Sequence, residues 1–339
     1  MRDYIIKRLC FMLITLLAIT VASYVMMRLA PGDPVRSQLV GGGADQGVRS
    51  QDKDRSRIEE MLRRKYYLDK PIMVGYLYWL KGVVTHFDFG TSIVYDRGAP
   101  VTHIILERMP VTIKLNLWSL LLVYALALPI GIYSAVRRNH WTERLLSLGL
   151  FLLYSLPSFW VGLLLLLFFA SDRFFDLFPV TGLEPSVAET WGRSTGGILW
   201  LRLQHYVLPV ICLSYGGLAG LSRYARVGLL EVISQDYIRT ARAKGVSEAR
   251  VILVHALRNG MIPLITLFAG LLPGLVAGSV IVEYIFSIEG MGSLAIQALG
   301  SRDYPLMMAI FTMGSFLTLI GILISDLCYA FVDPRIHYE

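Results

Sequence analysis

Five cations, Arg239, Arg242, Lys244, Arg250 and Arg258, stand with two carboxylates, Asp236 and Glu248, in the stretch 232–259, VISQDYIRTARAKGVSEARVILVHALRN. Side chains of these types at this density bind a polar or anionic surface. Flanked as they are by long apolar runs, the plain chemistry is a basic loop gripping lipid headgroups. Asp236 suits the N-cap of a short helix 237–244, with Lys244 in its last turn. Gly245 suits the left-handed residue that closes such a helix. Ser247 can cap a second short helix with Glu248 in its first turn. The pattern predicts two helices at a glycine joint, held against a membrane surface.

Bond-breaking chemistry finds no footing. None of the lysines sits in G-x-x-x-x-G-K-[ST], so the chain is not a P-loop ATPase. No histidine is followed by glutamate, which excludes H-E-x-x-H. Asp88-Phe89-Gly90 matches a kinase tripeptide by chance, because no companion motif accompanies it. Cys10, Cys212 and Cys328 lie inside apolar runs without metal-type spacing and read as buried core thiols. His205 and His255 lie near the ends of apolar runs and read as interfacial or partner contacts. No catalytic residue, metal ligand or resident cofactor is expected.

The positioning elements are membrane spans. The chain is 55% hydrophobic and 17% charged, with mean hydropathy +0.56, which is too apolar for an ordinary soluble protein. Its net charge of +7 falls in loops between apolar runs, so membrane orientation explains it better than nucleic acid. The run 9–29 follows Arg2, Lys7 and Arg8 and is long enough to span, with no A-x-A cleavage site to close it. It stops at Pro31-Gly32-Asp33-Pro34. Further spans are expected at 115–136, 145–171 with a break at Pro157, 203–222, 259–282 and 304–325.

Between them, residues 35–110 contain no spanning run and carry an exposed mixed-charge helix at 52–65. Residues 66–80 are rich in Tyr and Trp and suit an interface. Residues 172–202 read as an external loop. Arg137-Arg138 and the arginines of 239–258 place their loops in the cytoplasm, with both termini on that side. Prolines and glycines recur inside the spans, among them Pro129, Gly131, Pro157, Gly162, Pro209, Gly217, Gly220, Pro263 and Gly274. They read as close packing or as hinges beside a water-lined path.

The 232–259 stretch resembles the cytoplasmic coupling loop of binding-protein-dependent ABC importer permeases. Arg239-Thr240-Ala241 stands where that loop has Glu-Ala-Ala, and His255-Ala256-Leu257-Arg258 where it commonly has Ile-x-Leu-Pro. Both departures are similar to the oligopeptide/dipeptide branch, as are the Pro-Gly-Asp-Pro exit, Leu68-Asp69-Lys70-Pro71, Glu283, Gly290, Gly292, Arg302-Asp303 and the Asp333-Pro334-Arg335 tail. Phe175–Pro179, Phe87–Gly90 and the 332–336 ending look closest to the Yej-type branch, which resembles importers of peptides and of microcin C.

The resemblance implies an all-α integral membrane protein with the type I permease fold and six transmembrane helices. Its parts would be a first span to residue 30, an extracytoplasmic segment 31–108, a five-helix domain 109–331 and a cytoplasmic tail 332–339. Asp236, Tyr237, Arg239, Thr240, Ala241, Arg242, Lys244, Gly245, Ser247, His255, Leu257 and Arg258 would couple to a separate ATPase. The implied function is a permease subunit of a peptide importer in the bacterial inner membrane. Its implied partners are a homologous second permease, one or two ATPases holding ATP and Mg, an extracytoplasmic peptide-binding protein and lipid, without nucleic acid. A secondary carrier and an intramembrane enzyme are the rivals. The first would work without an ATPase; the second needs paired catalytic groups within spans, and none is present.

Overall fold

The computed structural model describes residues 2–30, 35, 52–260, 272–276 and 278–332. Described residues are helical or irregular, with one isolated bridge between Thr91 and Pro100. They fall into two compact units, one from residues 1–111 and 290–320, the other from 112–289 and 321–337.

The first unit holds α1 (Arg2–Leu29), α2 (Asp52–Lys65), α3 (Ile72–His86), the start of α4 (Val101–Val136), α13 (Met291–Ser301) and most of α14 (Tyr304–Val332). α2 repeats acid and base four residues apart, and Arg63 and Arg64 pair with Glu59 and Glu60 along it. α3 packs on α1 because Gly75 leaves room for Tyr24; a Cβ there would stand 2.5 Å from the Tyr24 hydroxyl oxygen. Tyr24, Met27, Tyr76 and Met308 form the cluster so enclosed, and Thr20 shares a 2.9 Å hydrogen bond with Tyr76. A second cluster gathers Phe89, Ile104, Ile105, Leu294, Leu306 and Ala309.

The second unit holds the rest of α4, α5 (Trp141–Ser155), α6 (Ser158–Phe169), the one-turn α7 (Val187–Thr190) and α8 (Thr195–Ile233). There follow α9 (Asp236–Ala243), α10 (Glu248–Arg250), α11 (Leu257–Gly260) and α12 (Val280–Ile285). α4 crosses α8 at Gly131, where an added Cβ would overlap the Ala225 methyl and come 2.8 Å from the Ser222 carbonyl oxygen. Val123, Ala127, Leu221 and Ala225 line that crossing, so small side chains let the two backbones touch.

Among the described residues, four helices are long and apolar enough to cross a membrane, at Tyr4–Leu29, Val101–Val136, Thr195–Ile233 and Tyr304–Leu327. α5 and α6 pass together as a fifth, bent by 101°. The bend falls at Leu156-Pro157, as the proline predicts. Tyr215 donates to the Leu156 carbonyl at 2.7 Å, so the interrupted backbone keeps a partner at membrane depth. The sixth expected span, 259–282, lies largely outside the described residues, as do Pro31-Gly32-Asp33-Pro34 and the 333–339 tail.

Three expectations change. α4 begins at Val101 rather than 115: Glu107, Arg108 and Lys114 interrupt the hydropathy of one continuous helix without interrupting its backbone. α8 extends from Thr195 to Ile233, well past 203–222, and takes in the end of the expected external loop. Cys10 is exposed on α1 while Cys212 is buried, because an apolar residue on a span can face lipid as readily as protein.

Candidate functional site

The basic stretch folds as a helical hairpin at the ends of α4 and α8. α9 closes at Lys244, where Gly245 takes φ +78°. The Gly245 N–H donates to the Arg242 carbonyl at 2.9 Å and the Val246 N–H to the Ala241 carbonyl at 3.3 Å. This paired closure is a Schellman motif, and Ala241 and Val246 supply its hydrophobic contact by packing on one cluster. Only a left-handed residue permits it, which is the reason for glycine at 245.

Beyond the joint, α10 runs without a break into a π-helical stretch, Val251–Ala256, and then α11. The second arm is therefore longer than the short helix expected. Its widened turn buries Val251, Ile252 and Ala256 with Ile238, Leu229 and Ala135, while Leu253, Val254 and His255 remain exposed. Two polar links span the hairpin. Arg242 donates from Nε and Nη2 to the Glu248 carboxylate at 3.0 and 2.6 Å, and Asn259 donates to the Tyr237 hydroxyl at 2.8 Å. The fork–fork contact holds the Glu248 carboxyl below the usual carboxylate range and raises the guanidinium of Arg242.

The capping expectations need correction. Gln235 occupies the N-cap of α9 with extended backbone, and Asp236 is the first residue inside the helix. There it faces the positive helix end and lies 3.5 Å from Arg239. Ser247 does stand at the N-cap of α10, but its side chain makes no capping hydrogen bond. Of the other expected residues, Tyr237, Arg239, Thr240, Arg242, Lys244, Gly245, His255 and Arg258 are exposed, whereas Ala241 and Leu257 are half-buried. The hairpin thus presents a basic face with apolar points, braced from below by its own core.

His205 is also corrected. It is buried ten residues inside α8, with Nδ1 3.2 and 3.1 Å from the carbonyl oxygens of Thr181 and Gly182. A helix extending past the apolar run carries it inward.

The remaining motif residues act as anchors. Arg302, left-handed at φ 58°, closes α13 with the same paired hydrogen bonds as Gly245. That turn delivers Asp303, fully buried, to a nest of donors. Its Oδ2 accepts from Ser92 Oγ at 2.5 Å and from the N–H groups of Ile93, Val94 and Tyr95 at 2.9, 2.9 and 3.1 Å. Three successive amides around one carboxylate form an anion-binding concavity. Glu283, also fully buried, accepts from Thr112 at 3.1 Å. Gly290 and Gly292 lie buried at the start of α13. Ser92 carries no local signal of this role; its partner is 211 residues away.

A third buried carboxylate ties α5 to α8 in the second unit. Glu143, 6% exposed at the start of α5, pairs with Arg226 of α8 at 3.1 Å and accepts from Ser147 at 2.9 Å.

The sequence model of the family "Binding-protein-dependent transport system inner membrane component" matches residues 127–338, and the N-terminal model of such membrane components matches residues 1–116. The chain belongs to this family. The permease is 38% identical, over all of both chains, to the oligopeptide transport system permease protein AppB of Bacillus subtilis. It is 34% identical to the inner membrane ABC transporter permease protein YejB of Escherichia coli O157:H7, again over all of both. It is 34% identical to the dipeptide transport system permease protein DppB of Bacillus subtilis, over 99% of this chain and 98% of that one. Its fold is similar to that of a chain in an inward-facing structure of the MetNI methionine ABC transporter. The TM-score is 0.53, at 17% identity, over 68% of the permease and 97% of that chain. Permeases of this family are non-catalytic integral membrane subunits that work with ATPase subunits. The rival reading as an intramembrane enzyme is thereby set aside.

Proposed function

We propose that the permease forms half of the translocation path of an ATP-driven peptide importer and takes up the ATPase's motion through the 232–259 hairpin. The observation that carries this reading is the hairpin's two-sided construction. Ile238 and Val251, both fully buried, weld it to α4 and α8, while Tyr237, Arg239, Lys244, Leu253 and His255 are exposed, uncovered by any of the described residues. An element rigid beneath and open above passes a displacement from a docked partner to the spans it sits on. Lipid gripping asks for no such bracing.

In this reading the docked partner is an ABC ATPase that binds ATP and Mg. A homologous second permease completes the path, and an extracytoplasmic binding protein delivers peptide. Relatives named for oligopeptide and dipeptide transport support the peptide class. The arginines at 137–138 and 239–258 support six spans with both termini in the cytoplasm of a bacterial cell.

The test uses Gly245. Among the described residues nothing lies within 4 Å of a Cβ added there, so a side chain has room in this chain and would project towards the partner. The left-handed backbone adds about 1 kcal/mol for a non-glycine residue. Gly245→Asp should leave the permease inserted, yet abolish peptide uptake and reduce co-purification of the ATPase. Wild-type uptake with full ATPase recovery would overturn the docking reading. Sensitivity only to joint neutralisation of Arg239, Arg242 and Lys244, graded with anionic lipid, would favour lipid gripping instead.

A further inference from the structure

We propose that α3 is sunk in one leaflet of the membrane beside α1, with a stripe of Met73, Leu77 and Val84 turned to lipid acyl chains. Its contacts with α1 fix the depth. The run 9–29 begins just past Lys7 and Arg8, and at 1.5 Å per residue it is about 31 Å long, the thickness of the hydrocarbon. Arg28, at the far end of that run, donates to the Lys70 carbonyl at 2.8 Å, so the chain approaches α3 at the membrane's edge. Thr20 stands about 14 Å inside that edge, yet its hydroxyl shares a 2.9 Å hydrogen bond with the hydroxyl of Tyr76. A tyrosine side chain covers about half of that distance, which leaves the Tyr76 backbone about 7 Å inside. Gly75 agrees, lying against the hydroxyl of Tyr24, whose own backbone is about 8 Å inside the edge. Helices that lie in the membrane interface bury their apolar face to this depth, about 5–10 Å.

The three faces of α3 suit that place. Helical spacing puts Ile72, Tyr76, Trp79 and Val83 on one face, and these pack on the two cores of the first unit. Met73, Leu77 and Val84 share the next face, at i, i+4 and i+11, and are 56%, 60% and 74% exposed among the described residues. Half-buried Leu80 borders them. The third face carries Tyr78, Lys81 and Thr85, all exposed, and the Lys70 ammonium lies 3.9 Å from the centre of the Tyr78 ring. From a shallow depth Lys81 can snorkel to the headgroups. Met26 and Leu29 of α1, exposed near the same edge, place lipid at this end of the span already. The run 36–51 is a poor cover for the stripe, since Leu39, Val40 and Val48 are its large apolar residues among glycines and polar groups. Sunk in this way, α3 is withdrawn from a partner that approaches through water. In the orientation proposed above, the leaflet is the outer one.

The test uses the full chain, with whatever subunits accompany it, in liposomes of phosphatidylethanolamine and phosphatidylglycerol. A trace of phospholipid carries a diazirine midway along one acyl chain, and mass spectrometry maps where the photogenerated carbene inserts. Wild type should be labelled at Met73, Leu77 and Val84 as well as at Phe11 and Ile14, exposed on α1, and several-fold less at Lys81 and Thr85. Label on α1 with none on α3 overturns the proposal, because protein then covers the stripe, whether residues 36–51 or another subunit. Nitroxides attached through Leu77→Cys, Lys81→Cys or Val84→Cys, with Cys10, Cys212 and Cys328 replaced by serine, report the surroundings of each face. Oxygen should reach positions 77 and 84 several-fold better than a water-soluble nickel complex does, with the order reversed at 81. Better access for nickel at 77 and 84 also overturns the proposal. If the cysteine-free protein does not fold, the labelling of wild type decides alone. Neither readout depends on peptide uptake or on an ATPase.

Discussion

Replacing Asp303 tests whether the first unit depends on one carboxylate. Its Oδ2 accepts from four donors, and two of them, on Ser92 and Ile93, belong to residues that are 1% and 0% exposed. Val94 and Tyr95 are half-buried, so water can reach their amides more readily. At about 1–3 kcal/mol for each buried donor left without an acceptor, Asp303→Ala should cost roughly 4 kcal/mol locally. Asp303→Asn keeps one acceptor oxygen but loses the charge, so roughly 2 kcal/mol is expected. Hydrogen exchange on the purified protein reads this directly. With Ala at 303, amides 93–95 should exchange about a thousandfold faster, whereas those of α9 should not change. Ser92→Ala should have less effect than Asp303→Ala, because it removes one donor and leaves three. Unchanged protection at 93–95 in a folded Asp303→Ala protein would refute the reasoning.

Three further outcomes follow from the second unit. Gly131→Ala places a methyl against Ala225 and should lower stability by about 1–3 kcal/mol, with partial rescue by Ala225→Gly; thermal unfolding of the three proteins checks it. Glu143→Ala strands Arg226 and should cost roughly 2 kcal/mol, below the fully buried range because Arg226 is 31% exposed. Glu143→Met with Arg226→Met should recover most of that in the same measurement. Glu248, with its carboxyl lowered by Arg242, contributes stability above its unfolded pKa and loses it as pH falls through the lowered folded value. ATPase co-purification should therefore not change through this link across about pH 6 to 8, and should drop only in acid. Glu248→Gln should cost at most about 1 kcal/mol, since both partners are exposed.

What could be read in the sequence was whatever depends on neighbours along the chain. Apolar runs located α1, α8 and α14, Pro157 located the bend between α5 and α6, and Gly245 announced a left-handed closure. The helix 52–65 declared itself through alternating charge. Boundaries failed where a helix continues past its apolar stretch. Hydropathy detects the membrane's edge, whereas α4 and α8 end where their hydrogen bonds do. Asp236 misled because aspartate suits the N-cap and the first turn alike, and only backbone angles separate them. The Asp303–Ser92 and Glu143–Arg226 pairs were beyond reach, since nothing in either short segment names a partner so distant. Arg302 hid its left-handed turn for the opposite reason: arginine rarely takes it.

The backbone contact at Gly131 and Ala225 also has a mechanical meaning. With only the Ala225 methyl interposed, it offers a fulcrum on which α8 can tilt without prising large side chains apart. Ala225 lies eight residues from Ile233, beside the hairpin, and thirty from Thr195 at the other end. At 1.5 Å per residue the arms are roughly 12 and 45 Å, so an ångström of movement at the hairpin becomes nearly four at the far end. Pro209 sits in the long arm and can only soften that gain. The fulcrum therefore trades force for travel, and a short stroke near the hairpin sweeps the opposite end of α8 through a distance comparable to a side chain's width.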